Sequence, residues 1–61
     1  MLTSERQRMI KEQALKIGEV SISELARKYN VSIETIRRDI NILSEKNLLK
    51  KVRGGAVPIR F

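Results

Sequence analysis

Ser21-Ile22-Ser23-Glu24-Leu25-Ala26-Arg27-Lys28-Tyr29-Asn30-Val31-Ser32-Ile33-Glu34-Thr35-Ile36-Arg37-Arg38-Asp39-Ile40 holds two helix starts with one short stop between them. Ser21-x-x-Glu24 has the form of a capping box, with Ser23 as the competing cap two residues on. Ile22, Leu25, Ala26 and Tyr29 then follow the i, i+3, i+4, i+7 pattern of a single apolar stripe. Asn30 is a natural left-handed terminator and Val31 sits in a tight turn. Ser32 caps the next helix, whose stripe is Ile33, Ile36, Ile40 and Leu43. That helix is expected over 32–46, with Asn47 as its left-handed cap. Two helices joined by little more than Asn30-Val31-Ser32 must cross steeply, as in a helix-turn-helix or in an ordinary corner between helices.

Upstream, Met1-Leu2-Thr3-Ser4-Glu5 reads as another helix start, with Thr3 or Ser4 as cap and Ser4-x-x-Gln7 as a capping box. Met9, Ile10, Ala14 and Ile17 recur at helical spacing, and Gly18 closes the helix in a left-handed conformation. Glu19-Val20-Ser21 is a short, extended connection. Downstream of Asn47 the pattern changes. Leu48 to Arg53 partly alternates, Gly54-Gly55 offers a tight turn with both residues free to take positive φ, and Ala56-Val57-Pro58-Ile59 resumes. This is a β-hairpin signal over 49–59, with Pro58 marking an edge strand or a strand end. The fold class expected is mainly α with a small β-hairpin, three helices plus a wing.

Composition narrows what such a domain does. The chain has 61 residues, 13 Lys+Arg, 7 Asp+Glu and a formal net charge of +6, with no cysteine or histidine. At this length one small domain fits, burying about 60% of the surface its unfolded chain exposes. Thiol nucleophiles, imidazole bases and Cys/His zinc sites are absent, so the sequence points away from an enzyme and implies no cofactor and no metal. Apolar runs of two or three residues are far too short to span a membrane, and the N-terminus lacks a signal-peptide pattern. A cysteine-free chain fits a cytoplasmic address. One tyrosine, Tyr29, and one phenylalanine, Phe61, do not make a base-stacking surface, and Tyr29 belongs with the core.

The charge is uneven. Residues 1–31 carry Lys/Arg at six positions against four glutamates, whereas Lys46, Lys50, Lys51, Arg53 and Arg60 follow with no acid among them. Rotating the third helix by about 100° per residue puts Glu34, Arg37, Arg38, Asn41 and Glu45 opposite its apolar stripe. Arginine can grip guanine N7/O6 or a phosphate with two donors, and asparagine can read adenine or hold a phosphate. Ser32 and Thr35 lie at the helix N-terminus, where hydroxyls and free N–H groups suit phosphate. Glu34 can accept from cytosine, or pair with Arg38 one turn on. Asp39 lies toward the flank and reads as structural, orienting a basic group. In the hairpin, strand alternation with Val52 facing the core would send Lys51 and Arg53 together to the opposite face, toward DNA, beside the Gly54-Gly55 tip. The candidate DNA-binding set is therefore Ser32, Glu34, Thr35, Arg37, Arg38, Asn41, Lys51, Arg53, Gly54 and Gly55. Two other readings compete with double-stranded DNA binding: a winged-helix module for an acidic protein partner, and a structured-RNA binder.

Val31-Ser32-x-x-Thr35-Ile36-Arg37-Arg38-Asp39-Ile40, then Leu43, Leu48-Leu49 and Gly54-Gly55-Ala56, closely resembles the DeoR-type helix-turn-helix domain. That domain carries V-S-x-x-T-I-R-R-D-L-x-x-L, then G-L-L and an R-x-H-G-G-A wing. Gly18-x-Val20-Ser21-Ile22-x-Glu24-Leu25-Ala26 matches it as well. Asn47 stands where the family usually has glycine, Arg53 replaces the wing histidine, and Ile42 takes an often polar place. The resemblance implies a bacterial transcriptional repressor of sugar or nucleoside metabolism genes. It also implies a larger C-terminal domain, outside these 61 residues, that binds a sugar-phosphate effector and mediates oligomerisation.

Overall fold

The computed structural model describes residues 2–59, so Met1, Arg60 and Phe61, including the terminal aromatic and the last basic residue of the tail, lie outside the described residues. The order is α1 (Thr3–Ile17), β1 (Val20–Ser21), α2 (Ile22–Tyr29), α3 (Ile33–Glu45), β2 (Leu49–Val52) and β3 (Gly55–Pro58). Three helices and a small antiparallel sheet form a winged helix-turn-helix.

Most helix ends behave as their sequence requires. Ser21 Oγ accepts from the Glu24 backbone N–H at 3.4 Å, and Ser32 Oγ accepts from that of Thr35 at 3.1 Å. Gly18, Asn30 and Asn47 take φ of 104°, 54° and 58°, the left-handed conformation that reverses the chain after each helix. The start of α1 differs from expectation. It begins at Thr3 with Leu2 at the cap position and no side-chain cap. Gln7, the expected reciprocal partner of Ser4, donates to Asp39 instead.

The sheet order is β1-β3-β2, so the extended piece before α2 becomes a third strand and β3 is central. Pro58 is tolerated because it ends β3, opposite Leu49 and beyond the reach of the two-residue β1. Val52 pairs with Gly55, leaving Arg53-Gly54 as the two-residue turn. The turn is thus one residue earlier than the Gly54-Gly55 expected: Gly54 has φ +77° and Gly55 belongs to the strand. Gly55 is there for close approach, since a Cβ on it would lie 1.9 Å from the Val20 carbonyl oxygen.

Ile10 and Ala14 of α1, Leu25 and Ala26 of α2, and Ile36, Ile40 and Leu43 of α3 meet Val20, Leu49 and Ala56 of the sheet in one core. Each large aliphatic side chain buried there contributes roughly 1.5–3 kcal/mol. Ile22, Tyr29 and Val31 pack against its margin. Three expected stripe members do not join it: Met9 is only half-buried, and Ile17 and Ile33 are 68% and 46% exposed, one the last residue of α1 and the other the first of α3. Among the described residues, no helix is long and apolar enough to cross a membrane.

Candidate nucleic-acid interface

With Ile36, Ile40 and Leu43 buried, the opposite face of α3 is left to solvent, and Glu34, Arg37, Arg38, Asn41 and Glu45 are all exposed on it. Ile42, off the stripe, is half-buried. Glu34 does not pair with Arg38; its Oε1 lies 3.4 Å from Arg37 Nη1, three residues on. Arg38 has no carboxylate partner among the described residues. An exposed pair of this kind is worth well under 1 kcal/mol, so Arg37 is free to exchange Glu34 for a stronger acceptor. Ser32 and Thr35 share a hydroxyl–hydroxyl hydrogen bond of 2.9 Å at the α3 N-terminus, Ser32 exposed and Thr35 half-buried.

The wing stands beside this face, but its side chains are arranged differently from the alternation first inferred. Leu49 and Ala56 are buried, and Lys51, two residues after Leu49 and paired with Ala56, shares their face. Val52 does not point to the core; it is 37% exposed. The hairpin extends past the end of the hydrophobic core, so the core-facing side of β2 ends at Leu49 and continues as Lys51 over α3. There Lys51 Nζ donates to Asn41 Oδ1 at 2.9 Å. Arg37, Asn41, Lys51 and Gly54 line one cleft of about 240 Å³ between α3 and the wing, floored by Ile22 and Ile40. Arg53 is not with them. It lines a separate hollow with Glu19 and Ser21. Gly55 is buried within β3, while Gly54 is exposed at the tip. The Gly54 carbonyl accepts from the Ile22 backbone N–H at 2.9 Å, tying the wing tip to the start of α2.

What holds α3 in place is a contact that helical spacing alone did not reveal. Arg6, buried on α1, donates from Nε and Nη2 to the two carboxylate oxygens of Asp39, and Gln7 Nε2 adds a third donor at 3.0 Å. Hydrogen bonding to Asp39 raises the Arg6 pKa above its ordinary value, against the opposing effect of burial. Asp39 thus orients a basic group, as its flank position suggested. The signal for the partner was present: Arg6 lies four residues before Ile10 and eight before Ala14, on the apolar stripe of its helix.

The DeoR-like helix-turn-helix domain model matches residues 6–60. The chain is 46% identical over 59 residues to the uncharacterized HTH-type transcriptional regulator FruR of Bacillus subtilis, covering 97% of this chain and 24% of that protein. It is 48% identical over 50 residues to the HTH-type transcriptional regulator IolR of the same organism, covering 82% of this chain and 20% of that protein. Against the L-fucose operon activator of Haemophilus influenzae the identity is 44% over 52 residues, 85% of this chain and 21% of that protein. The chain therefore spans about a quarter or less of the length of these relatives. No solved structure matches it. With its helix-turn-helix, its wing and its match to the family model in agreement, the chain belongs to the DeoR-like helix-turn-helix domains, the DNA-binding domains of transcriptional regulators.

Proposed function

We infer that this domain recognises specific double-stranded DNA with α3 in the major groove and the β2–β3 wing on the adjacent backbone or minor groove. The observation that carries this reading is the exposed row Arg37, Arg38 and Asn41 flanked by a basic wing on one side of the molecule, while the other side of α3 is sealed in the core. Arg37 and Asn41, one turn apart, reach base edges; Arg38, Lys50 and Arg53 hold phosphates; Ser32 and Thr35 meet the backbone at the α3 N-terminus. Glu34 releases Arg37 on contact with DNA. Gly54 lets the tip turn tightly, and Gly55 supports it from within the sheet.

In the whole regulator this module represses genes of sugar or nucleoside metabolism, with a C-terminal domain supplying effector binding and pairing of two copies across an operator. The Haemophilus influenzae relative carries the name of an activator. Fluorescence anisotropy with duplexes enriched from a random pool tests the reading. Affinity should fall steeply between about 50 mM and 200 mM salt and exceed that for RNA of the same sequence. Equal affinity for the RNA, or for every duplex regardless of sequence, would defeat it.

A further inference from the structure

The hydrogen bond from the wing to α3 fixes the polarity of one reading side chain. An ammonium group has three donors and no acceptor, so only the oxygen end of the Asn41 amide can face Lys51 Nζ, at 2.9 Å. The Nδ2 end, with its two donors, is turned away from Lys51. Both residues are exposed and line the cleft between α3 and the wing together with Arg37, and the residues lining that cleft include no acid. A free asparagine pairs with adenine in two ways at once, accepting from N6 through Oδ1 and donating to N7 through Nδ2. Here the accepting half is engaged by a cation. An adenine amino group approaching the same oxygen would bring its own donor against the Lys51 ammonium. Guanine presents O6 and N7, two acceptors, to the same place, where the amide and the ammonium both donate.

We propose that Lys51 sets the base preference of Asn41, setting an ammonium donor beside its accepting oxygen so that the pair favours guanine over adenine. The wing thereby takes part in base selection through a recognition-helix residue, in addition to any phosphate it neutralises. This inference rests on α3 lying in the major groove.

Selection from a randomised double-stranded DNA library, with enrichment read by sequencing, tests both levels using the 61-residue chain and its Asn41→Ala, Lys51→Met and Lys51→Arg variants. Circular dichroism confirms that each is folded. The wild-type motif should contain one position of guanine that becomes indifferent in Asn41→Ala. In Lys51→Met that position should shift toward adenine, changing the guanine-to-adenine enrichment ratio by about tenfold, the scale of one bidentate contact. Lys51→Arg, also a donor without an acceptor, should keep guanine. An unchanged motif in Lys51→Met overturns the proposal, as does an Asn41→Ala motif identical to wild type, while leaving the major-groove reading in place. A wild-type protein that enriches no sequence overturns that reading, and the proposal with it.

Discussion

Arg6 and Asp39, 33 residues apart, meet through Nε and Nη2 on the two carboxylate oxygens, at 2.5 Å and 3.1 Å. Both are almost fully buried, so the pair joins α1 to the middle of the recognition helix inside the domain. Removing one partner leaves a buried charge uncompensated, whereas removing both does not. Arg6→Met should cost about 3 kcal/mol, and the double variant Arg6→Met, Asp39→Leu should recover a large part of it. The arginine's pKa is raised, so its contribution is fully present below the ordinary arginine value and is lost only as pH rises through the higher folded value. Arg6 ionisation therefore gives the fold no pH dependence near neutrality. Denaturant unfolding of the single and double variants checks the coupling, and losses that simply add would refute it.

On the proposed reading, Arg37 and Arg38 divide base reading from phosphate holding. Arg37 lines the wing cleft with Asn41, while Arg38, equally exposed, is not among the residues that line it. Arg37→Ala should cost about 1–3 kcal/mol on an enriched duplex and flatten preference at one position. Arg38→Ala should weaken all duplexes alike and reduce the salt slope by about 0.9. Equal losses for both variants on enriched and random duplexes would remove α3 as the reader.

At the wing tip, Arg53 lines a hollow with Glu19 and Ser21 and not the cleft that holds Lys51. If it neutralises one phosphate, Arg53→Ala should lower the slope of log affinity against log salt by about 0.9 without altering sequence preference. Binding measured at several salt concentrations decides this. An unchanged slope in a folded variant would take the tip off the DNA.

Gly54 and Gly55 should fail in different ways when replaced. At Gly54 nothing lies within 4 Å of an added Cβ, so the cost comes from φ +77° alone. Gly54→Ala should lose about 1–2 kcal/mol, and Gly54→Asn less, because asparagine tolerates that conformation. Gly55→Ala drives a methyl group into the Val20 carbonyl and must separate β1 from β3, a loss of about 3 kcal/mol. Thermal unfolding resolves the two, since each kcal/mol moves Tm by roughly 4–8 °C in a domain of this size. A smaller loss at Gly55 than at Gly54 would contradict the packing argument.

The local parts of this protein were legible in its residues: the caps at Ser21 and Ser32, the left-handed stops at Gly18, Asn30 and Asn47, the stripes of α2 and α3, and the exposed Arg37-Arg38-Asn41 face. Each depends on groups within about four residues of one another, so periodicity and capping chemistry specify them whatever the rest of the chain does. The face of the wing was not legible in the same way. Alternation says that Lys51 and Val52 point to opposite sides, but not which side meets the helices; that is set by Leu49 entering a core built from α1, α3 and β1. The same holds for Gly55, whose neighbour is Val20 on another strand, and for the pairs Arg6–Asp39 and Lys51–Asn41. These contacts exist only after separate elements have packed, because the atoms that satisfy or exclude one another come from segments far apart in sequence.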